Sequence, residues 1–155
     1  MKKTWHGIII PTLIFLGLIS INSVKAETQR SLLVVSSVDS SVTTISRKEV
    51  RKLFLGVPVM KEKIRLKPLR NGSDPTSEEI FLQKVVFMSK RSYERRLLSS
   101  VFRHGGERPV KYSNLAELVN KLNTSPESLS YMWSDQIENY EGIISKGVLW
   151  TGQID

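Results

Sequence analysis

The chain has 155 residues, a formal net charge of +8 and no cysteine, so its fold depends on a packed core and not on disulfides or thiolate-bound metal. Its only histidines are His6 and His104, which leaves little material for a zinc site or a Ser-His-Asp triad. The positive charge favours anions or acidic partners, but nucleic acid is disfavoured because no dense basic run is interleaved with aromatic residues.

Residues 1–26 have the composition of a cleaved secretory signal. Lysines near the start precede an apolar run from Ile8 to Ile21, and the segment ends at Ala26, a small residue of the kind that signal peptidase requires. The run is shorter than the roughly 20 residues of a membrane-spanning helix, and an uncleaved anchor is the alternative. We therefore expect export to the periplasm or the cell exterior, with residues 27–155 forming one domain.

The first predicted elements after this segment are a buried strand and a capped helix. Leu32 to Val35 is a nearly continuous apolar run, which is typical of a strand buried on both faces in a parallel sheet. Ser46 and Glu49 have the spacing of a capping box, and the helix that they start is expected to end at Gly56. The apolar face of this helix is formed by Val50, Leu53 and Phe54.

A second strand, a turn and another helix follow. Apolar residues alternate along Ile64 to Leu69, the cluster from Asn71 to Asp74 predicts a turn, and helical periodicity begins at Ile80. A helix that begins after a Gly-containing turn presents free backbone N–H groups and the positive end of its dipole, which suit a small anion. The alternative is a capped surface turn that joins strand to helix and binds nothing.

The rest of the chain continues the alternation of helices and strands. The predicted elements are Ser92–Phe102, Leu115–Leu122 after the N-cap Asn114, Ser128–Trp133 and Lys146–Trp150. A loop or short helical turn is expected between the last two strands. This order predicts one α/β domain with a mainly parallel sheet flanked by helices.

The remaining charged groups have simpler interpretations. Glu78 and Glu79 stand in the first turn of a predicted helix, where carboxylates stabilise the positive end of the dipole, so we interpret them as capping charges and not as a catalytic pair. Asp135, Glu138 and Glu141 do not have the spacing of a calcium loop, and we predict no metal site. Five arginines are expected to face solvent, and an anion site or an acidic partner is the alternative. They are Arg91, Arg95, Arg96, Arg103 and Arg108.

Four segments in this order resemble the phosphate-type periplasmic solute-binding proteins. They are Ser46–Gly56, with the pattern S-x-x-E-V-x-x-L-F-x-G; Ile64–Ser73, a strand that ends in a Gly-Ser turn; Val101–Pro109, a Gly-rich loop; and Asn123–Met132, similar to an element T-P-G-A-I-G-Y. The chain is most similar to short, single-lobe members of that family. The resemblance implies a type II periplasmic-binding-protein-like sandwich, in which a mainly parallel sheet is flanked by helices.

In that family the Gly-Ser turn donates hydroxyl and backbone N–H groups to phosphate. The resemblance therefore implies a ligand-binding site, without a cofactor, at Arg70, Asn71, Gly72 and Ser73. Asp74-Pro75 departs from the Gly-Thr that usually follows the serine in the family. Pro75 has no N–H to donate, and Asp74 would repel a dianion if it pointed inward.

Two functions are consistent with the resemblance. The first is non-catalytic periplasmic binding of a small oxyanion, phosphate by analogy with the family, as the substrate-binding protein of a membrane transporter. The second is a ligand-free protein-interaction module on the same fold, such as a periplasmic sensor or an adaptor for a membrane partner. The Asp74-Pro75 replacement favours the second function, and an enzyme is not expected.

Overall fold

A computed structural model describes residues 29–104 and 108–154 of the chain. The predicted signal at 1–26 and part of the predicted Gly-rich loop, residues 105–107, lie outside the described residues. Within the described ranges, no helix has the length and apolar character needed to cross a membrane.

The structure contains strands and helices in alternation. The strands are β1 (Gln29–Ser37), β2 (Met60–Lys61), β3 (Ile64–Arg65), β4 (Lys67–Asn71), β5 (Val110–Tyr112), β6 (Ser128–Trp133) and β7 (Ile143–Gln153). The helices are α1 (Arg47–Phe54), α2 (Pro75–Phe81), α3 (Lys90–His104), α4 (Leu115–Asn123) and α5 (Ser134–Ile137), and the π-helix Leu82–Val86 continues α2.

A five-stranded sheet with the strand order β5-β4-β6-β1-β7 forms the centre of the molecule. β4 pairs in parallel with β5 and β6, whereas β1 pairs antiparallel with β6 and β7. Four strands therefore point the same way, and the predicted α/β fold with a mainly parallel sheet is confirmed. The expectation of parallel neighbours for the apolar run Leu32–Val35 is wrong, because burial on both faces does not fix the direction of the adjacent strands.

Helices cover both faces of the sheet and create two apolar cores. The larger core contains α1, α2, the π-helix and α3, and the smaller one contains α4. Side chains of β1 point alternately into the two cores, with Val34 in the larger and Val35 in the smaller. β1 thus contributes to both layers.

One local prediction is confirmed and a second is only partly correct. The capping box is confirmed, since Ser46 Oγ accepts from the Glu49 N–H at 3.3 Å while Glu49 Oε2 accepts from the Ser46 N–H at 2.9 Å. The predicted strand Ile64–Leu69 is divided, however, because its first two residues form β3, which pairs with β2 in a hairpin, and β4 begins only at Lys67. Alternating apolar residues indicate a strand but do not identify its partner.

The helix expected from Ile80 begins five residues earlier, at Pro75. Its first turn is polar, so the apolar periodicity used for the prediction starts only after that turn. Proline is well suited to this first position because its missing N–H would have no partner inside the helix.

Candidate functional site

The four predicted binding residues lie where β4 ends and the chain turns into α2. Since β4, β5 and β6 run in parallel, their carboxyl ends meet at one edge of the sheet, the edge at which open α/β sheets commonly bind ligands. Arg70 and Asn71 are the last residues of β4, and Gly72 and Ser73 form the turn. The structure thus brings all four together beside the start of α2.

Arg70 is buried, with 4% of its surface exposed, and its charge is neutralised inside the chain. Its Nη2 donates to Glu94 Oε1 at 2.6 Å and to Glu78 Oε1 at 3.2 Å. The guanidinium carbon also lies 5.1 Å from the centre of the Tyr93 ring. Arg70 therefore has carboxylate partners of its own within the described structure.

Glu78 is the centre of an ion network that connects β4, β5, α2 and α3. In addition to Arg70, its carboxylate accepts from Lys111 Nζ at 2.9 Å and from Lys90 Nζ at 3.3 Å. Burial by itself would raise the pKa of Glu78, but Lys111 and Lys90 outweigh that effect and hold the pKa below its ordinary value. Glu78 lies in the first turn of α2, as expected for a capping charge. It is also buried among three cations, which the sequence did not indicate.

Positive charge exceeds negative charge in this network. Glu94 accepts from Arg70 and also from Arg108, so two carboxylates serve four cations. Three of the cations keep much of their surface in water, with side-chain exposures of 64% for Lys90, 45% for Arg108 and 33% for Lys111. The described part of the network therefore carries a local excess of positive charge next to Gly72.

The turn itself uses its donors within the chain. Asn71 Oδ1 accepts from the Ser73 N–H at 3.1 Å and from Ser73 Oγ at 2.7 Å, and Asn71 Nδ2 donates to the Tyr131 carbonyl at 3.0 Å. The Gly72 N–H donates to the Tyr112 carbonyl at 2.8 Å. The N–H and O–H groups that the resemblance assigns to an anion thus already have acceptors.

Asp74 occupies the start of α2 with its own carboxylate. Its two oxygens accept from the Thr76 N–H at 3.1 Å and from the Ser77 N–H at 3.2 Å. The same carboxylate accepts from Nε1 of Trp133, which is fully buried on β6. Asp74 therefore supplies the negative charge that the positive end of a helix attracts.

Sequence reasoning missed Asp74 as a helix cap and Trp133 as its partner. The first omission was avoidable, because an Asp followed by Pro is a recognised signal for an N-cap and the first helical position. The bond to Trp133 joins residues far apart in the chain, so no local pattern could have indicated it.

A cavity of about 300 Å³ adjoins the network between α2 and the start of α3. Apolar side chains of Leu82 and Met88 line it together with the polar groups of Glu78, Ser89 and Lys90. In residues 29–104 and 108–154, no three carboxylate or imidazole side chains come together in a way that could hold a metal ion.

Three solved structures have a similar fold. PstS from Borrelia burgdorferi matches with a TM-score of 0.53 and 14% identity over 76% of this chain. An ABC-type phosphate transport receptor from Vibrio cholerae has a TM-score of 0.52 and 8% identity over 76% of this chain. A possible phosphate binding protein from Planctomyces limnophilus has a TM-score of 0.52 and 17% identity over 79% of this chain.

The present chain spans less than half of each of these proteins, namely 47%, 45% and 42% of their respective lengths. No protein-family model matches the sequence, and no curated protein matches it. At these identities the likeness is one of fold. The described part of the chain therefore has a fold similar to that of part of each of these three proteins, as the resemblance of its four segments predicts.

Proposed function

We propose that this chain is a non-catalytic periplasmic binding protein whose ligand is another protein. One observation carries the choice of ligand: the Asp74 carboxylate accepts the free N–H groups at the start of α2. An external oxyanion at the same place would have to compete with a carboxylate that is tethered to the helix, and it would be repelled by that charge. The other donors of the turn are already bonded to Asn71 and Tyr112.

A binding role is favoured over catalysis by the state of the charged side chains at this edge of the sheet. A general base needs a carboxylate that is free to take a proton from a substrate. Glu78 accepts from three cations and has little contact with solvent, and Glu94 is engaged by two arginines. These groups support a fixed ion network.

Binding of a small oxyanion, phosphate by analogy, is the second candidate. Two of the similar structures are named for phosphate transport or phosphate binding, and the ion network beside Gly72 has more cations than carboxylates. In this alternative the ligand would contact Arg70, Asn71, Gly72 and Ser73, and a membrane transporter would receive it. Asp74 would first have to leave the start of α2.

Isothermal titration calorimetry with phosphate and with sulfate separates the two candidates. The protein-binding proposal expects no heat of binding at millimolar anion for the full chain. Saturable heat that Ser73→Ala weakens by about 1–3 kcal/mol, as expected for a lost donor to a charged group, would establish the oxyanion candidate instead. Thr43→Ala, at an exposed position in another loop, is the matched control.

The protein partner is sought by cross-linking in the intact cell envelope, because a sensor, adaptor or transporter partner would be a membrane protein. A photoreactive residue is placed at single exposed positions on different faces, for example at Phe102 on α3 and at Val148 on β7. A specific adduct with one membrane protein from one face supports the proposal. The proposal would be refuted if no position on any face gave an adduct and phosphate gave a heat of binding.

A further inference from the structure

We infer that the exposed face of α3 is the docking surface for an acidic segment of a partner protein. This inference rests on the proposed protein-binding function and specifies where and how it operates. The α3 docking face is defined by six residues: Arg91, Arg95, Arg96, Leu98, Phe102 and Arg103.

Helical spacing places these residues on the side of α3 that faces away from the core. Arg91, Arg95, Leu98 and Phe102 are separated by four, three and four positions and so form one stripe, whereas Arg96 and Arg103 lie about 100° further round the helix, at the flank of the face. The opposite side of the helix is packed in the larger core through Tyr93 and Leu97, each with 1% exposure. The orientation of α3 is therefore fixed by its buried side.

The α3 docking face combines positive charge with exposed apolar surface. All four arginines are exposed, and within the described ranges no carboxylate forms an ion pair with any of them. Phe102 is 82% exposed and Leu98 is 48% exposed. Exposed aromatic residues next to arginines are the composition that protein interfaces favour at their centres.

The arrangement costs the isolated helix some stability. Arg91 and Arg95 are like charges four residues apart on one face, a pairing that destabilises a helix. A partner carboxylate placed between them would turn this repulsion into attraction. Arg96 and Arg103 likewise line a shallow cleft of about 100 Å³ with Ser99 and Ser100, which could hold a carboxylate between two guanidinium groups.

The chemistry of the surface favours a protein over a lipid bilayer. The exposed cations of the face are all arginines, whose planar groups match carboxylates in a bidentate geometry, whereas Lys90 on the same helix is directed to Glu78. Its exposed apolar part consists of two side chains, while a helix that lies in a membrane surface needs a continuous apolar side. The expected partner segment therefore carries several Asp or Glu residues and an apolar side chain that contacts Phe102.

Fluorescence anisotropy with two defined polymers tests the inference on the full chain. The probes are labelled poly-L-glutamate and a labelled random copolymer of glutamate and tyrosine. We expect the copolymer to bind more tightly than poly-L-glutamate, and Phe102→Ala to abolish that preference. Arg95→Glu combined with Arg103→Glu should weaken copolymer binding by about tenfold or more.

A variant with the same change in net charge provides the control. Arg47→Glu combined with Lys48→Glu changes two exposed residues in the first turn of α1, where carboxylates suit the helix dipole. This variant should retain binding to within about twofold. If circular dichroism shows that Arg95→Glu with Arg103→Glu does not fold, Arg95→Gln with Arg103→Gln replaces it. We then expect a smaller loss of copolymer affinity, which the α1 variant does not show.

Three results would overturn the inference. The first is an equal loss of copolymer affinity in the α1 and α3 variants. The second is that the unaltered chain does not bind the copolymer. The third is α3-dependent binding to vesicles of phosphatidylglycerol and phosphatidylcholine without binding to the copolymer. The proposed function would survive any of these if envelope cross-linking found a partner on another face. Saturable binding of phosphate at Ser73 would instead contradict the proposed function. Copolymer binding to α3 could still be measured in that case.

Discussion

Asp74 shows how one side chain can occupy the start of a helix. A turn followed by a helix offers free N–H groups to any acceptor of suitable charge. Here the acceptor belongs to the chain, and Trp133 donates to it from β6. A free anion at this place would therefore compete with a carboxylate that is tethered beside the same N–H groups.

Replacing Asp74 by alanine should lower the free energy of unfolding by about 1–2 kcal/mol, the usual cost of losing a helix cap. The substitution leaves the N–H groups of Thr76 and Ser77 and the indole N–H of Trp133 without this acceptor. Urea denaturation followed by circular dichroism measures the change. Asp74→Asn, which keeps an acceptor oxygen, should lose less, and an equal loss in both variants would contradict the capping explanation.

The pKa of Glu78 gives the stability of the protein a defined dependence on acidity. Burial would raise this pKa, but Lys111 and Lys90 lower it below the ordinary value of 4.5. Because the folded-state pKa lies below the unfolded one, the stabilisation is present above pH 4.5 or so and is lost as the pH falls through the folded-state value.

Glu78→Gln should therefore destabilise the protein by about 2 kcal/mol or more at neutral pH, since it leaves Arg70 buried with less compensation. The difference in free energy of unfolding between this variant and the unaltered chain should shrink as the pH falls from about 6 to about 3, because Glu78 becomes protonated in that range. Urea denaturation at a series of pH values measures it. Glu79→Gln, at an exposed neighbouring position, should show neither effect, and a pH-independent loss at Glu78 would exclude the linkage.

The π-helix between α2 and α3 is followed by a residue with a strained backbone. This residue, Phe87, adopts the left-handed conformation with φ 60° and ψ 45° and exposes 64% of its surface. The Arg51 guanidinium lies 5.6 Å from the centre of the Phe87 ring, and Arg51 Nε donates to the Val86 carbonyl at 3.0 Å. These contacts hold α1 against a turn that is unfavourable for a residue with a Cβ atom.

Glycine at position 87 should be better tolerated than alanine. Both substitutions remove the aromatic ring and its contact with Arg51, but only glycine adopts the left-handed conformation without a steric penalty. We expect Phe87→Gly to be more stable than Phe87→Ala by about 1 kcal/mol in thermal or urea denaturation. Equal stability of the two variants would show that the turn changes conformation when Phe87 is replaced.

The elements also show what a sequence can and cannot indicate. The capping box of α1 involves residues three apart, so its pattern was sufficient to predict the helix start. The direction of β1 and the division of Ile64–Leu69 depend on partners distant in the chain, which periodicity does not encode. The turn after Asn71 is present because its residues favour a turn locally, whereas the internal bonds that use its donors depend in part on Tyr112, which is distant in the chain, and were not foreseen.

At the scale of the whole molecule, the sheet joins two cores into one cooperative unit. Leu97 in the larger core and Leu122 in the smaller one are both almost completely buried. Each replacement by alanine should lower the free energy of unfolding by about 2–5 kcal/mol. Both variants should unfold in one transition, because β1 contributes side chains to both cores.

Urea denaturation monitored by tryptophan fluorescence and by far-ultraviolet circular dichroism tests this cooperativity. Trp133 and Trp150 lie on the central sheet, so their fluorescence reports on the sheet, while circular dichroism reports on all helices. Coincident curves are expected for both variants. Separate midpoints for the two signals in Leu122→Ala would show that the α4 layer unfolds independently.

The pairing of β1 with β7 also bears on how the chain folds. The register runs from Gln29 opposite Gln153 to Ser37 opposite Ile143, so strands from opposite ends of the described chain must meet before this side of the sheet is complete. Pairing between such distant segments slows folding, because the entropy of closing a long loop is lost before the strand contacts compensate for it.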